Sequence, residues 1–257
     1  MLLRCALLLI ATLPMAAKAA ERVLDLQPRP DVVLRVLTDS PADAPPKGSV
    51  VLLAGGSGKL DIDPQGKIGG LAGNQLIRSR GGYLAAGYAY FAPDIASDLK
   101  PQQNYRYKPE FGRDIGLVIA EARKLGVPVH LIGTSRGAIS VAALFNSDSP
   151  ERPDSAVITS GMLITYKIPA ADSLGPRWVQ VPVLLLRHQL DACPVTPPSD
   201  ADRYAKLLSK APKVDIVTLN GGAQPKSEPC EAAHYHGFWG MDDAVVNAIT
   251  AWIAALK

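Results

Sequence analysis

The sequence predicts an α/β fold, a three-layer α/β/α sandwich on a mostly parallel sheet. Three observations carry that prediction. Apolar, β-branched runs alternate with segments of helical periodicity along nearly the whole chain. The central runs VVLLA, VPVHLIG and VPVLLLRH are almost continuously apolar, the pattern of strands covered on both faces. A length of 257 residues, 47% hydrophobic and 20% charged, suits one large domain with a sizeable core.

The first segment stands apart. MLLRCALLLIATLPMAAKAA has an early basic residue (Arg4), an apolar run from Cys5 to Leu13, and then small residues. Ala17-Lys18-Ala19 fits the small-x-small cleavage pattern of a secretory signal peptide. The run is short for a membrane span and is broken by Pro14. We therefore expect a signal peptide over residues 1–19, a single mature domain over 20–257, and a secreted or periplasmic protein with no membrane partner after cleavage. Losing Arg4 and Lys18 leaves 25 basic against 24 acidic side chains. That balance gives no electrostatic case for a nucleic-acid partner.

Strands are expected at Val32–Leu37, Val50–Ala54, Tyr88–Ala92, Val127–Gly133, Ala156–Thr159, Val181–Arg187 and Val214–Leu219. Pro41–Pro46 reads as a surface turn between the early strands. From Asp114, Ile115, Val118, Ile119, Ala122 and Leu125 fall at helical spacing, and Gly126 is a natural stop. A second helix should follow Gly137. A third should start near Ser199, with Asp200 and Asp202 favouring its N-terminal dipole. The last runs from about Asp242, with Val245, Ile249, Trp252, Ile253 and Leu256 on one face.

The sharpest motif is Gly133-Thr134-Ser135-Arg136-Gly137, a G-x-S-x-G that directly follows the strand VPVHLI and precedes a helix. In that context the serine sits on a tight strand–turn–helix elbow, and the helix N-terminus offers N–H groups to developing negative charge. A plain glycine-rich turn with a capping serine is the bland alternative. On these residues the chain resembles the α/β-hydrolase fold family over nearly all of its mature length. The resemblance implies a Ser-Asp-His triad in the order nucleophile, acid, histidine. Ser135 is then the nucleophile. Asp191, in RHQLDAC beyond the strand VPVLLLRH, takes the acid's place, with Asp94 as its competitor. His236, in His234-Tyr235-His236-Gly237-Phe238, takes the base's place, with His234 as the local competitor. His188 and His130 lie in or at the end of strands and read as structural. The base is needed because a serine hydroxyl attacks poorly until its proton is taken, and the carboxylate fixes the imidazole's tautomer.

The resemblance also implies two oxyanion donors. One is the backbone N–H of Arg136; the other comes from Ala54-Gly55-Gly56-Ser57-Gly58, with Gly56 first and Ser57 second. The histidine that heads this loop in the family is Ala54 here. The same stretch fails as a phosphate loop: Leu53 stands where the motif needs glycine, and Leu60 where it needs serine or threonine. The Arg136 side chain faces either an anionic substrate group or plain solvent. Tyr105, Arg106, Tyr107 and Lys108 follow a strand end and are placed to line an entrance. Thr165–Trp178 occupies the family's usual lid position, yet is short, so little or no lid is expected.

After export two cysteines remain, Cys193 and Cys230, an even count that suggests a disulfide. The alternatives are two free thiols, or a metal held by Cys230, His234 and His236. A bond would tie the acid loop to the histidine loop. The functional expectation is a carboxylesterase-like serine hydrolase of small acyl substrates. It would cleave an ester, or else a thioester or amide, through an acyl-serine with no cofactor and no metal. The competing class is a non-catalytic small-molecule-binding protein on the same fold.

Overall fold

Eight strands form one sheet in the order β1-β2-β4-β3-β5-β6-β7-β8 among the residues that the computed structural model describes, 21–256. The expected signal peptide lies outside the described residues. The strands are β1 (Arg22–Arg29), β2 (Val32–Asp39), β3 (Ser49–Leu53), β4 (Ala89–Pro93), β5 (Val129–Thr134), β6 (Ser155–Thr159), β7 (Val183–His188) and β8 (Val214–Leu219). From β4 through β8 every pairing is parallel; β1–β2 and β2–β4 are antiparallel. The helices are α1 (Gln75–Arg78), α2 (Arg80–Ala85), α3 (Pro109–Arg123), α4 (Gly137–Asn146), α5 (Asp200–Ala205) and α6 (Asp242–Ala254).

The pleat explains the continuous apolar runs. In β3, Val51 and Leu53 enter one core with α3 and α4, while Val50 and Leu52 enter the other with α1, α2 and α6. Both faces are covered, so alternation with polar residues would leave buried polar groups unpaired.

The α/β sandwich is as the sequence predicts, with corrections at element ends. The strands expected from Val127 and Val181 begin two residues later, at Val129 and Val183. Pro128 and Pro182 have no N–H to give a ladder; their carbonyls accept instead from Ser49 and Ala156. The helix expected from Asp114 starts at Pro109, where proline suits the first turn, and Phe111 joins its buried stripe. β1 was not expected at all. It pairs with β2 through a turn at Pro30-Asp31, where Asp31 has φ +58°. Arg29 clamps this hairpin to the segment after β4 through Asp98 (2.7 Å) and to α3 through the buried Asp114 (2.6 Å). α1 and α2 are also additions to the expected elements.

His130 is structural, as expected. It is buried in β5, with Nδ1 2.8 Å from Ser155 Oγ, and burial holds its pKa down at about 4. Above about pH 6.5 the imidazole is neutral in both folded and unfolded chains. As pH falls toward 4 only the unfolded chain takes up the proton, so stability drops by roughly 3 kcal/mol and then levels. We expect His130→Gln to flatten that part of a stability–pH curve measured by urea unfolding. An unchanged slope would remove His130 as its source.

Candidate active site

Ser135 sits at the C-terminal end of β5 with φ +54°, a left-handed conformation that costs a residue with a Cβ about 1–2 kcal/mol. The surroundings hold it there. Its N–H donates to Thr159 O, and its carbonyl accepts from Ala138 N and Met162 N, all at 3.0 Å. The flanking glycines are steric necessities. A Cβ on Gly133 would lie 2.4 Å from the Gly137 carbonyl oxygen, and one on Gly137 would lie 2.3 Å from that of Leu53. Only glycine lets β5, the turn and the end of β3 approach this closely.

Asp191 and His236 meet. Asp191 follows β7, and His236 lies in a short 3₁₀ turn, Tyr235–Gly237, between β8 and α6. His236 Nδ1 donates to Asp191 Oδ2 at 2.9 Å, and both side chains are almost fully buried. Asp191 Oδ1 accepts from Cys193 N at 2.9 Å. The carboxylate is thereby fixed in place and orients the ring. Ser135, His236 and Gly56 line one cavity of about 300 Å³. The structure therefore brings the three expected residues to one end of the sheet.

The competitors have other work. Asp94 accepts from the backbone N–H groups of Leu60 (2.9 Å), Ile62 (3.0 Å) and Ile95 (2.8 Å), so it fastens the loop after β3. His188 accepts from Leu190 N on Nδ1, and its Nε2 lies 3.1 Å from Gly221 O, so both ring nitrogens are engaged away from Ser135. Its ring stacks on Tyr235 at 4.8 Å and supports the histidine loop from below. His234 packs edge-on against Tyr235.

The loop after β3 carries Gly56 at φ +52°. Among the described residues, neither the Gly56 N–H nor the Arg136 N–H donates to a protein acceptor. Arg106 and Tyr105 brace this loop. Arg106 Nη1 donates to Gly56 O (3.1 Å), Nη2 to Ala54 O (3.3 Å), and Tyr105 Oη to Ser57 O (2.9 Å).

Three contributors escaped sequence reasoning. Thr196 is buried, and its Oγ1 lies 3.2 Å from Asp191 Oδ2 and 3.0 Å from His236 Nδ1. Arg78 donates to Gly237 O (2.6 Å), Ala232 O (3.0 Å) and Asp242 (2.8 Å), tying the histidine loop to α1 and α6. Arg106 was expected only at an entrance, and it also supports the loop after β3. No local signal marks these roles, because each depends on loops far apart in the chain.

Cys193 and Cys230 form a disulfide with Cα atoms 4.7 Å apart. It joins the loop of Asp191 to the loop of His236 and replaces both the free-thiol alternative and the Cys230 metal alternative. Among the described residues, no group of three or more His, Cys, Asp or Glu is placed to hold a metal, and no helix is long and apolar enough to cross a membrane. The expected lid segment holds only two 3₁₀ turns, Ala171–Leu174 and Pro176–Trp178, among its described residues.

No family model matches the chain, and no curated protein matches it. Solved structures do. The chain is similar to an alpha-beta serine hydrolase homologue from Coxiella burnetii, 14% identical with a TM-score of 0.57, covering 96% of this chain and 100% of that one. It is similar to DcsB, solved in complex with its substrate analogue, at 11% identity and a TM-score of 0.65, covering 93% and 100%. It is also similar to esterase 2 of Thermogutta terrifontis, at 14% identity and a TM-score of 0.58, covering 93% and 96%. With its parallel sheet, its serine elbow after β5 and these matches over nine-tenths of its length, the chain has the α/β-hydrolase fold.

Proposed function

We propose that the protein is a serine hydrolase that cleaves ester bonds of small acyl substrates through an acyl-serine intermediate. The observation that carries this reading is His236, hydrogen-bonded to the buried Asp191, sharing a cavity with Ser135 on its strained elbow. Nδ1 is committed to Asp191, so Nε2 is the nitrogen left to take a proton. In the proposed reaction Ser135 Oγ bonds to the ester carbonyl carbon while His236 Nε2 takes its proton. The oxyanion accepts from the N–H groups of Gly56 and Arg136. Collapse breaks the ester bond, and the departing alcohol oxygen takes the proton from His236. Water repeats the sequence on the acyl-serine and releases the acid.

The open, lightly covered cavity suits small soluble esters better than long chains buried under a lid. Thioesters and amides are the secondary substrates of the same chemistry. The reading includes export to an oxidising compartment, which the disulfide favours.

Purified protein should react with a fluorophosphonate probe at Ser135 and turn over a nitrophenyl ester. Absence of both labelling and turnover would overturn the reading. Thr196 should act as a positioning residue. We expect Thr196→Val to lower kcat about five- to tenfold through loss of one hydrogen-bonding hydroxyl at the pair. Thr196→Ser should restore most of it. Equal losses in both variants would mean that Thr196 serves only packing.

A further inference from the structure

A second cavity, of about 270 Å³, has walls that include Tyr105, Arg106, Tyr107, Ile139, Ile168 and Arg136, the chain neighbour of Ser135. Two lining residues are cationic and none is acidic. Arg106 is only 6% exposed, and its hydrogen bonds go to neutral acceptors, the carbonyls of Ala54 and Gly56 and the hydroxyl of Ser140. The guanidinium lies over the Tyr105 ring at 4.8 Å, but of its five N–H groups two have no hydrogen-bond acceptor among the described residues, and no carboxylate pairs with it there. Buried charges are normally paired, because stripping water from an ion is costly. Burial accordingly pushes the Arg106 pKa down, and the charge of Arg136 pushes it the same way.

The neighbouring carboxylates do not supply the missing charge. Asp94 is taken by three backbone N–H groups, and Asp172 accepts from Thr165 N and Oγ1. Arg136 is exposed, and among the described residues its side chain makes no hydrogen bond or ion pair. It is also the residue after Ser135, so one wall of the cavity is supplied by the nucleophile's chain neighbour. The Gly56 whose carbonyl Arg106 holds also lines the Ser135 cavity.

We propose that this cavity is a subsite for an anionic substituent of the substrate, a carboxylate or a phosphate, bound by Arg136 and Arg106. The guanidinium fork matches both groups in a two-pronged bond. The tyrosine rings and the isoleucines then flank the carbon chain joining the anion to the scissile ester. Tyr107 is held in place by its Oη bond to Pro169 O at 2.6 Å. The inference rests on the ester-hydrolase reading and names the substrate class for it.

The test compares nitrophenyl esters of equal acyl length that end in a methyl group, a carboxylate or a phosphonate. Wild-type kcat/KM should favour one anionic ester over the neutral one by about ten- to a hundredfold, the range expected for bonds to a charged group. The better anionic arm identifies the group. The ratio should collapse toward one in Arg136→Gln and be partly kept in Arg136→Lys. Independently, glutarate and inorganic phosphate are titrated into Ser135→Ala protein against chloride at matched ionic strength. Saturable binding that Arg136→Gln removes supports the subsite. No anionic preference together with no saturable binding overturns it. Saturable binding without any ester turnover leaves the subsite standing while the hydrolase reading falls.

Discussion

Ser135→Ala is expected to cut ester turnover by about 10⁴- to 10⁶-fold while leaving the protein folded. The proposed mechanism puts the covalent step on one oxygen, that of Ser135 at the strained turn of the elbow after β5. The alanine keeps the Cβ and the backbone bonds to Thr159, Ala138 and Met162, so little stability is at risk. His236→Ala should lose about as much, and the double variant no more than either, because the two act as one unit. Asp191→Asn belongs to the same set. An amide at that position accepts less well from Nδ1 and can donate to it, which favours the wrong imidazole tautomer, and a loss of about 10⁴-fold is expected. Additive losses, or turnover surviving in Ser135→Ala, would show that the chemistry runs elsewhere. Steady-state kinetics with a nitrophenyl ester and circular dichroism on each variant decide the matter.

The second large effect concerns the disulfide. Cys193–Cys230 closes a loop with a sequence separation of 37 residues, and chain-entropy reasoning gives such a cross-link roughly 4 kcal/mol of stability. Urea unfolding of the Cys193→Ser/Cys230→Ser double variant should therefore show a loss of about 3–4 kcal/mol. The bond also has a functional consequence. Cys193 N donates to Asp191 Oδ1, and Cys230 lines the cavity of Ser135 and His236. Loosening the two loops against each other should lower kcat even well below the unfolding midpoint. A double variant of unchanged stability would show that Arg78 and the packing of His188 on Tyr235 alone fix the histidine loop.

How much of this was legible depends on how local the physics is. The strands buried on both faces announce themselves, because a strand between two helical layers is mostly apolar and its few polar side chains need partners, as His130 finds in Ser155. β3, β5 and β7 are such strands. β1 is an edge strand with an exposed, charge-bearing pattern, and its reason to exist is the pairing with β2 and the Arg29 clamp onto α3. α1 and α2 are four and six residues long, too short for periodicity to show. The proline offsets in β5 and β7 were written in the sequence at Pro128 and Pro182, since a residue without an N–H cannot open a ladder that needs one.

At the site the division is sharper. The sequence by itself determined the elbow. G-x-S-x-G between an apolar run and a helix forces the turn, since the glycines are needed within a few residues of the serine they expose. Chain order also singled out Asp191 and His236. Only the tertiary structure decided that Asp191, not Asp94, holds the ring, that the two cysteines bond, and that Thr196, Arg78 and Arg106 serve the loops around it. A hydrogen bond reaches about 3 Å, and these partners lie between 5 and 164 residues apart along the chain. Their meeting is a property of how the loops at the strands' carboxyl ends converge, which no stretch of sequence contains.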